Sequence, residues 1–380
     1  MIRRIVWEII NFCYVYLAKP LIFMMSADSA HGSMIRFASV MGRISFLRSL
    51  TEYTFLEKPN ESLFQNLKDI KFTNPVGLAA GLDKNGEIVQ AISALGFGFA
   101  TVGSVTAKKC VGNPRPWFHR LPKTKSLVVN AGLANDGSET VIKRLRSYDS
   151  ESIGGMPVVL SVAKTNGSKV VSEREGINDY VTSLERTKDE LSISMIEVNI
   201  SCPNAYGGEP FTTPERLDKL LSAVDKIDLK QPIFIKMPVD LTWDEFKKLL
   251  DCIVNHKIAG VTIANLAKDR SKANLKESLP ENIKGNLSGR PTFELGNELI
   301  RQTYLSYGKK LTIIGVGGIF SAEDAYVKIK LGASLIEIIT GMIFNGPQLA
   351  AQINNDLSRL LKRDGYDHIS QAIGVEAKRE

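Results

Sequence analysis

The stretch "MIEVNISCPN", Met195 to Asn204, is an apolar run that ends in polar chemistry. Val198 and Ile200 read as one face of a buried strand, while Asn199, Ser201, Cys202 and Asn204 bring amides, a hydroxyl and a thiol to its last residues. A turn alone would account for Asn, Ser and Pro. Seven further stretches share its apolar texture: "VGLAAG" from Val76, "FATVGSV" from Phe99, "PVVLSVA" from Pro157, "IFIKM" from Ile233, "GVTIAN" from Gly260, "LTIIGVGG" from Leu311 and "SLIEIITG" from Ser334. Near-continuous apolar strands separated by helical patterns are parallel strands buried on both faces. Eight such units predict an α/β fold, a closed (β/α)8 TIM barrel rather than an open sheet.

In such a barrel the site is built at the C-terminal strand ends. The first strand leads into Gly81, Asp83 and Lys84, the second ends at Gly103, Ser104 and Thr106, the fifth at Lys236 and the sixth at Asn265. These ends converge on one mouth, so the polar residues of the opening stretch face a ligand. The last two strands end in Gly315-Val316-Gly317-Gly318 and Thr340-Gly341. Loops at these positions often grip a phosphate through backbone N–H groups, which glycine lets approach closely; plain turn glycines are the alternative. The run is no dinucleotide fingerprint, because the third glycine and the open βαβ context are missing. Lys84 and Lys236 at one mouth suit an anionic ligand or a reduced flavin, although a surface cation is the usual fate of a lysine. Cys202, among polar neighbours, reads as a reactive thiol rather than a small buried hydrophobe. Its ordinary pKa of about 8.5 suits acid–base work after modest tuning.

With 380 residues, 44% hydrophobic and 23% charged, the chain can bury one large core plus an appendage. Its four cysteines, Cys13, Cys110, Cys202 and Cys252, lie far apart. Their spacing suggests neither a disulfide framework nor a structural metal, and no metal is expected. His119, His256 and His368 show no evident partners. The net charge of +7 is spread along the chain, without the basic cluster that nucleic acid requires, so no nucleic-acid partner is expected.

Residues 1–60 are expected to form a helical, membrane-associated segment before a barrel of residues 61–380. "MIRRIVWEIINFCYVYLAKPLIFMM" is apolar and aromatic but interrupted by Arg3, Arg4, Glu8, Lys19 and Pro20, which is poor for a spanning helix. Glu8 also breaks a signal-peptide pattern. A helix in the membrane interface fits, with Trp7, Phe12, Tyr14 and Tyr16 at the headgroup boundary; the alternative is an amphipathic helix packed on the barrel. "SAHGSMIRFASVMGRISFL" carries Met34, Phe37, Ala38, Met41 and Ile44 at helical spacing.

Taken together, "NPVGLAAGLDKNGE", "GFGFATVGSVT", "GNPRPWFHRLP", "VNISCPN", "GNLSGRP", "IIGVGGI" and "GASLIEI" resemble, in order and spacing, the dihydroorotate dehydrogenases. "SAHGSMIRFASVMG" resembles the N-terminal helix pair of their quinone-linked, membrane-associated class. The resemblance implies a barrel holding FMN that oxidises (S)-dihydroorotate to orotate in pyrimidine synthesis. A base removes the C5 proton while hydride from C6 reaches the flavin, and ubiquinone, entering between the helices, reoxidises it. By matching position it implies Cys202 as base and Lys84, Asn130, Asn199, Asn204 and Asn265 as orotate ligands. Ala80, Gly81, Ser104, Asn199, Lys236, Gly289, Gly318, Thr340 and Gly341 would hold FMN, and His31, Arg36 and Arg120 would border the quinone passage. It also implies a peripheral membrane location, on the cytoplasmic face of the inner membrane or, in a eukaryote, at the mitochondrial inner membrane.

The sequence departs from the family pattern at several positions. The quinone-linked class usually has serine where Cys202 stands; with Gly207-Gly208 following, this segment looks like the soluble class. Ser161 replaces an asparagine expected for the flavin, and Ala264-Asn265-Leu266 replaces Thr-Asn-Thr. Ile339 replaces a tyrosine, and the short "NAGLAND" leaves Asn130 and Asn135 as rival matches for one asparagine. A related flavin dehydrogenase for another cyclic amide or acid, or a non-enzymatic flavin-binding barrel, therefore stays open as an alternative.

Overall fold

The computed structural model describes residues 2–57, 60–168, 170, 172–206 and 208–378. Every one of the expected strands forms: β1 (Val76–Leu78), β2 (Phe99–Val105), β3 (Val158–Val162), β4 (Met195–Asn199), β5 (Ile233–Met237), β6 (Gly260–Ile263), β7 (Thr312–Val316) and β8 (Leu335–Ile338). They are parallel and pair in chain order, and β8 returns to β1 to close the barrel. The fold is a TIM barrel, as the run of apolar strands implied.

Side chains alternate across a strand, so residues two apart stack in layers inside the barrel. The floor is apolar: Phe99, Val159, Met195, Phe234, Ile314 and Leu335 pack together, with Phe72 from the hairpin Gln65–Leu67/Ile70–Phe72 closing it from below. Phe72 meets Phe99 edge to face, ring centroids 5.5 Å apart. Gly77 and Gly260 leave the room these rings fill; a Cβ at Gly77 would lie 2.2 Å from the Phe99 ring, and one at Gly260 2.3 Å from that of Phe234. Two residues further along, the same faces carry Thr101, Ser161, Glu197, Lys236 and Glu337, all buried. The next layer belongs to the mouth and includes Asn199.

The N-terminal residues form α1 (Ile2–Cys13), a π turn (Tyr14–Ala18), α2 (Lys19–Met24), α3 (Ala27–Arg43) and α4 (Ser45–Phe55). Arg3, Arg4, Glu8, Lys19 and Pro20, which interrupt the apolar pattern, do not interrupt the helix. Arg3–Met24 is one helical run of 22 residues, long and apolar enough to cross a membrane by length and composition. The widened π turn just before Lys19-Pro20 is the kind of irregularity that accommodates proline within a helix. One face of this run is tied to the protein. Trp7 Nε1 donates to the Thr54 carbonyl (2.9 Å), Asn11 to that of Asn345 (2.8 Å), Tyr14 OH to that of Ile343 (2.7 Å) and Lys19 to that of Phe344 (3.1 Å). Trp7 and Tyr14 therefore face inward, contrary to the headgroup placement expected for them, whereas Ile5, Ile9, Phe12, Tyr16, Leu17 and Leu21 are exposed. The second helical stretch does break, at extended Ile44 between α3 and α4. Of its apolar stripe, Ala38 and Met41 pack on the core, but Met34, Phe37 and Ile44 stand exposed.

Because Phe99 fills the floor, Phe99→Ala should cost about 3–5 kcal/mol. Gly77→Ala, which forces a Cβ into that ring, should cost about 1–3 kcal/mol. Denaturant unfolding measures both, and a cost below about 1 kcal/mol for Phe99→Ala would contradict the floor packing.

Candidate active site

A cavity of about 510 Å³ runs from the barrel mouth to the gap between the N-terminal helices. Cys202, Asn204, Lys236, Gly318 and Thr340 line its barrel end, and Tyr14, Ile22, Phe23, Met34 and Ala38 line its helical end. Volume and mixed lining suit an organic ligand with a few fixed polar contacts.

Beneath the mouth lies the charged layer. Lys236 Nζ is 3.6 Å from Glu197 Oε1, which also accepts from Ser161 Oγ at 2.8 Å. Glu337, which lines the cavity, accepts from Thr101 at Oε1 (2.5 Å), while its buried Oε2 has no partner among the described residues. Burial, reinforced by the Glu197 charge and opposed by Lys236, pushes the Glu337 carboxyl up to about 8. This favours the neutral form of Glu337, and the salt bridge of the layer is the one between Lys236 and Glu197. Ser161 finds its reason here: the hydroxyl on β3 bonds Ser104 (2.8 Å) and Glu197 and lies away from the cavity.

Above this layer Asn199 donates to Ser104 Oγ (2.8 Å) and accepts from Asn265 Nδ2 (3.2 Å). Asn265 also donates to the Ser201 carbonyl (2.7 Å), which fixes the turn into Cys202. Asn204 donates to the Val129 carbonyl (2.9 Å) and accepts from Asn286 (2.6 Å). Asn113, which the sequence did not single out, donates to Asn130 Oδ1 and to the Asn204 carbonyl, each at 3.0 Å. Asn130 is thereby fixed beside the mouth, although its neighbours Val129 and Ala131, not Asn130, reach the cavity. Asn135 is committed elsewhere: its amide serves Thr106, Leu133 and Gly137. Ala264, Leu266 and Ile339 form apolar wall.

Cys202 opens on the cavity. Burial pushes its thiol up to about 11, opposed by the Asn204 backbone N–H and Lys236 and reinforced by Glu209 and Cys110. The modest tuning expected from an ordinary thiol is therefore replaced by a rise, and the group is a thiol at neutral pH. Lys164, also unremarked in the sequence, is buried and holds the same loop by donating to the Tyr206 carbonyl (3.2 Å). Gly207 lies outside the described residues.

Lys84 donates to the Gly81 carbonyl (2.7 Å) and to His31 Nε2 (3.3 Å). A lysine ammonium can only donate, so the His31 proton sits on Nδ1. Burial holds Lys84 down to about 8, opposed by Asp83 and Asp28. Burial, with the charges of Lys84 and Arg115, holds His31 down to about 3. Arg120 donates to the Met25 carbonyl (2.8 Å) and lies over the Phe23 ring, 4.5 Å from its centroid. His31 and Arg120 line the main cavity; Arg36 is exposed and borders a second pocket next to it, shared with His31 and Lys84.

The family model described as dihydroorotate dehydrogenase matches residues 62–361. The chain belongs to the dihydroorotate dehydrogenase family. A relative named dihydroorotate dehydrogenase (quinone) from Haloarcula marismortui is 32% identical over 95% of this chain and 98% of its own. Another of that name, from Gloeobacter violaceus, is 36% identical over 94% of this chain and 98% of its own. The crystal structure of DHODH from Eimeria tenella in complex with ferulenol superposes with a TM-score of 0.78 at 26% identity, over 88% of this chain and 94% of that one.

The family is a class of flavoenzymes, and the residues present fit a flavin. Lys236 and the Asn199–Ser104 pair supply donors, Glu337 presents an unpartnered oxygen, and Ala80 and Gly81 leave the wall beside them thin. The glycines carry a different message. A Cβ at Gly318 would sit 2.4 Å from Phe293 Cβ, one at Gly341 2.1 Å from the Ile319 carbonyl, and one at Gly289 2.4 Å from that of Lys125. Packing behind the loops already demands glycine, so a bulky residue there disrupts the wall with or without a ligand. Of the missed residues, Glu197 and Glu337 had a signal: each is a lone acid inside an apolar strand, a costly placement unless paired or protonated.

A thiol held near 11 exposes little thiolate at neutral pH. Alkylation of Cys202 by iodoacetamide, followed by peptide mass spectrometry, should accelerate roughly tenfold per pH unit from 7 to 10. A plateau below pH 9 would show that the site lowers this pKa instead.

Proposed function

We propose that this chain oxidises (S)-dihydroorotate to orotate, with FMN as cofactor and a membrane quinone such as ubiquinone as acceptor, in pyrimidine nucleotide synthesis. The observation that carries the reading is the cavity joining Lys84, Cys202, Asn199, Asn204 and Asn265 to an apolar passage between the π turn, α2 and α3. Relatives named dihydroorotate dehydrogenase (quinone) support it. When bound, FMN supplies the hydride-accepting and electron-relaying chemistry.

In this reading Lys84 pairs with the substrate carboxylate, and Asn199, Asn204 and Asn265 hold the ring amides; Asn130, held beside the mouth by Asn113, joins them only by turning toward the cavity. Cys202, once a thiolate, takes the C5 proton. Its high pKa makes it scarce at neutral pH and strong when formed. Ala80, Gly81, Ser104, Asn199, Lys236, Gly289, Gly318, Thr340 and Gly341 hold the cofactor, the last four around its phosphate. His31 and Arg120 border the quinone route, and Arg36 borders the pocket next to it. Residues 1–60 serve as a peripheral membrane segment, on the cytoplasmic face of the inner membrane or at the mitochondrial inner membrane, and residues 61–380 as the catalytic barrel.

The test is anaerobic stopped-flow bleaching of the flavin by dihydroorotate. Cys202→Ala should keep the flavin yet slow bleaching by about 10²–10⁴-fold, and Cys202→Ser should fall between, since a hydroxyl is far less acidic than a thiol. The rate at saturation should climb with pH toward the thiol pKa of about 11, while the apparent substrate Kd should rise above pH 8 as Lys84, held near 8, loses its charge. Bleaching at the wild-type rate in Cys202→Ala would remove the thiol from the mechanism. Bleaching by dihydrouracil alone would favour another cyclic amide, as the apolar Ala264 and Leu266 wall suggests, and no bleaching by any candidate would favour a mere binder.

The exposed face of α1 and α2 supplies a second expectation. Replacing Phe12, Leu17 and Leu21 by serine should leave bleaching unchanged but reduce sedimentation with phosphatidylcholine/cardiolipin vesicles and slow turnover with long-chain quinone. Unaltered vesicle binding would rule out this face as the membrane contact.

A further inference from the structure

On the outer shell of the barrel, away from the cavity, helices Pro214–Val224 and Trp243–Ile253 run side by side. Asp218, Cys252 and His256 meet there, their ligand atoms all within 4.8 Å of one another. His256 is not the unpartnered surface residue its sequence context implied: its side chain is only 7% exposed, and both ring nitrogens are engaged. Nδ1 lies 2.8 Å from Asp225 Oδ2 and Nε2 lies 3.2 Å from Asp218 Oδ1. Among the described residues, the hydrogen-bond partner of the Cys252 thiol is the Pro214 carbonyl, at a long 3.7 Å.

We propose that Asp218, Cys252 and His256 bind a zinc-class divalent cation, with Asp225 orienting the imidazole and water filling the fourth position. Two ligands at about 2.0–2.1 Å around a tetrahedral ion stand roughly 3.3 Å apart, close to the 3.2 Å between His256 Nε2 and Asp218 Oδ1. A carboxylate on the far ring nitrogen is the usual partner of a metal-bound histidine, because it fixes the tautomer that leaves Nε2 free to ligate. Thiolate and imidazole favour zinc over magnesium or calcium, which take oxygen ligands. Binding releases the Cys252 proton to solvent; the thiolate and the Asp218 carboxylate then balance the divalent charge. Asp218, with its side chain 62% exposed, faces the solvent side from which the ion and its water enter. Asp225 and His256 stand just past the C-terminal ends of their helices, and Gly260 opens β6 soon after. The site therefore lies toward the end where strands begin, the face of a TIM barrel that serves stability rather than catalysis. The ion would clasp two consecutive helices of the shell.

The experiment uses the flavin-loaded full chain, stripped with chelator and dialysed, then titrated with zinc chloride by calorimetry and by competition with a zinc indicator. The expected result is one zinc per chain with a Kd of about 1 μM or tighter, undisturbed by excess magnesium, and a melting temperature that rises with zinc. Cys252→Ser and His256→Gln should each weaken binding at least about 100-fold, and Asp225→Asn by about 10–100-fold; Asp218→Asn, at an exposed position, checks the third ligand without threatening the fold. Bleaching by substrate should be unchanged in all of them. No zinc bound by the wild type, or equal binding by Cys252→Ser and His256→Gln, would overturn the proposal and leave the imidazole as a bridge between two carboxylates.

Discussion

An ammonium group at the centre of a closed barrel has no bulk water to solvate it, and much of this site is organised around meeting that cost for Lys236. Glu197 supplies the counter-charge at 3.6 Å, Ser161 holds Glu197 in place, and burial, with the Glu197 charge nearby, favours the neutral form of Glu337. The layer is consequently close to neutral, while Lys236 and Glu337, whose Oε2 has no partner among the described residues, both line the cavity. A buried ion pair is weak evidence for stability; here it fixes the direction of a lysine that lines the cavity.

That arrangement depends on the layers beneath and above it. Phe72, Phe99 and Phe234 seal the floor, so the polar layer opens only upward. Above it, Asn199 and Asn265 carry the strand ends into the Cys202 turn through hydrogen bonds that also hold their amides. The N-terminal helices complete the enclosure. Asp28 accepts from the Trp117 and Phe118 backbone, Arg120 is held by carbonyls at the end of α2, and His31 accepts from Lys84. The lysine at the barrel mouth is therefore in direct contact with the helix that lines the apolar passage, so the two ends of the cavity share a wall.

The thiol at position 202 gives the site a chemical character of its own. A cysteine is intrinsically far more acidic than the serine that the quinone-linked class usually carries there, yet burial takes much of that advantage back. What remains is a thiolate formed with difficulty, on a cavity that also holds Lys84, whose own pKa burial lowers to about 8.

The sequence by itself determined the barrel, because eight buried parallel strands must each be apolar throughout and their sum leaves few closures. It also determined where the mouth lies, since polar residues at apolar strand ends have a single destination, and the family motifs placed Lys84, Cys202 and Lys236 there. The tertiary structure decided what depends on neighbours distant in the chain. Glu197 and Glu337 become one charged layer only when β4, β5 and β8 are curled together. Asn113 becomes a hub for Asn130 and Asn204 only across a folded loop, and His256 gains Asp218 and Asp225 only when two helices pack. It also decided that Trp7 and Tyr14 turn inward while Phe12 and Tyr16 face out, because helical periodicity gives the spacing of a face but not which surface covers it. Burial, finally, sets the protonation of Cys202, Lys84 and Glu337, and burial is a property of the closed barrel rather than of any local stretch.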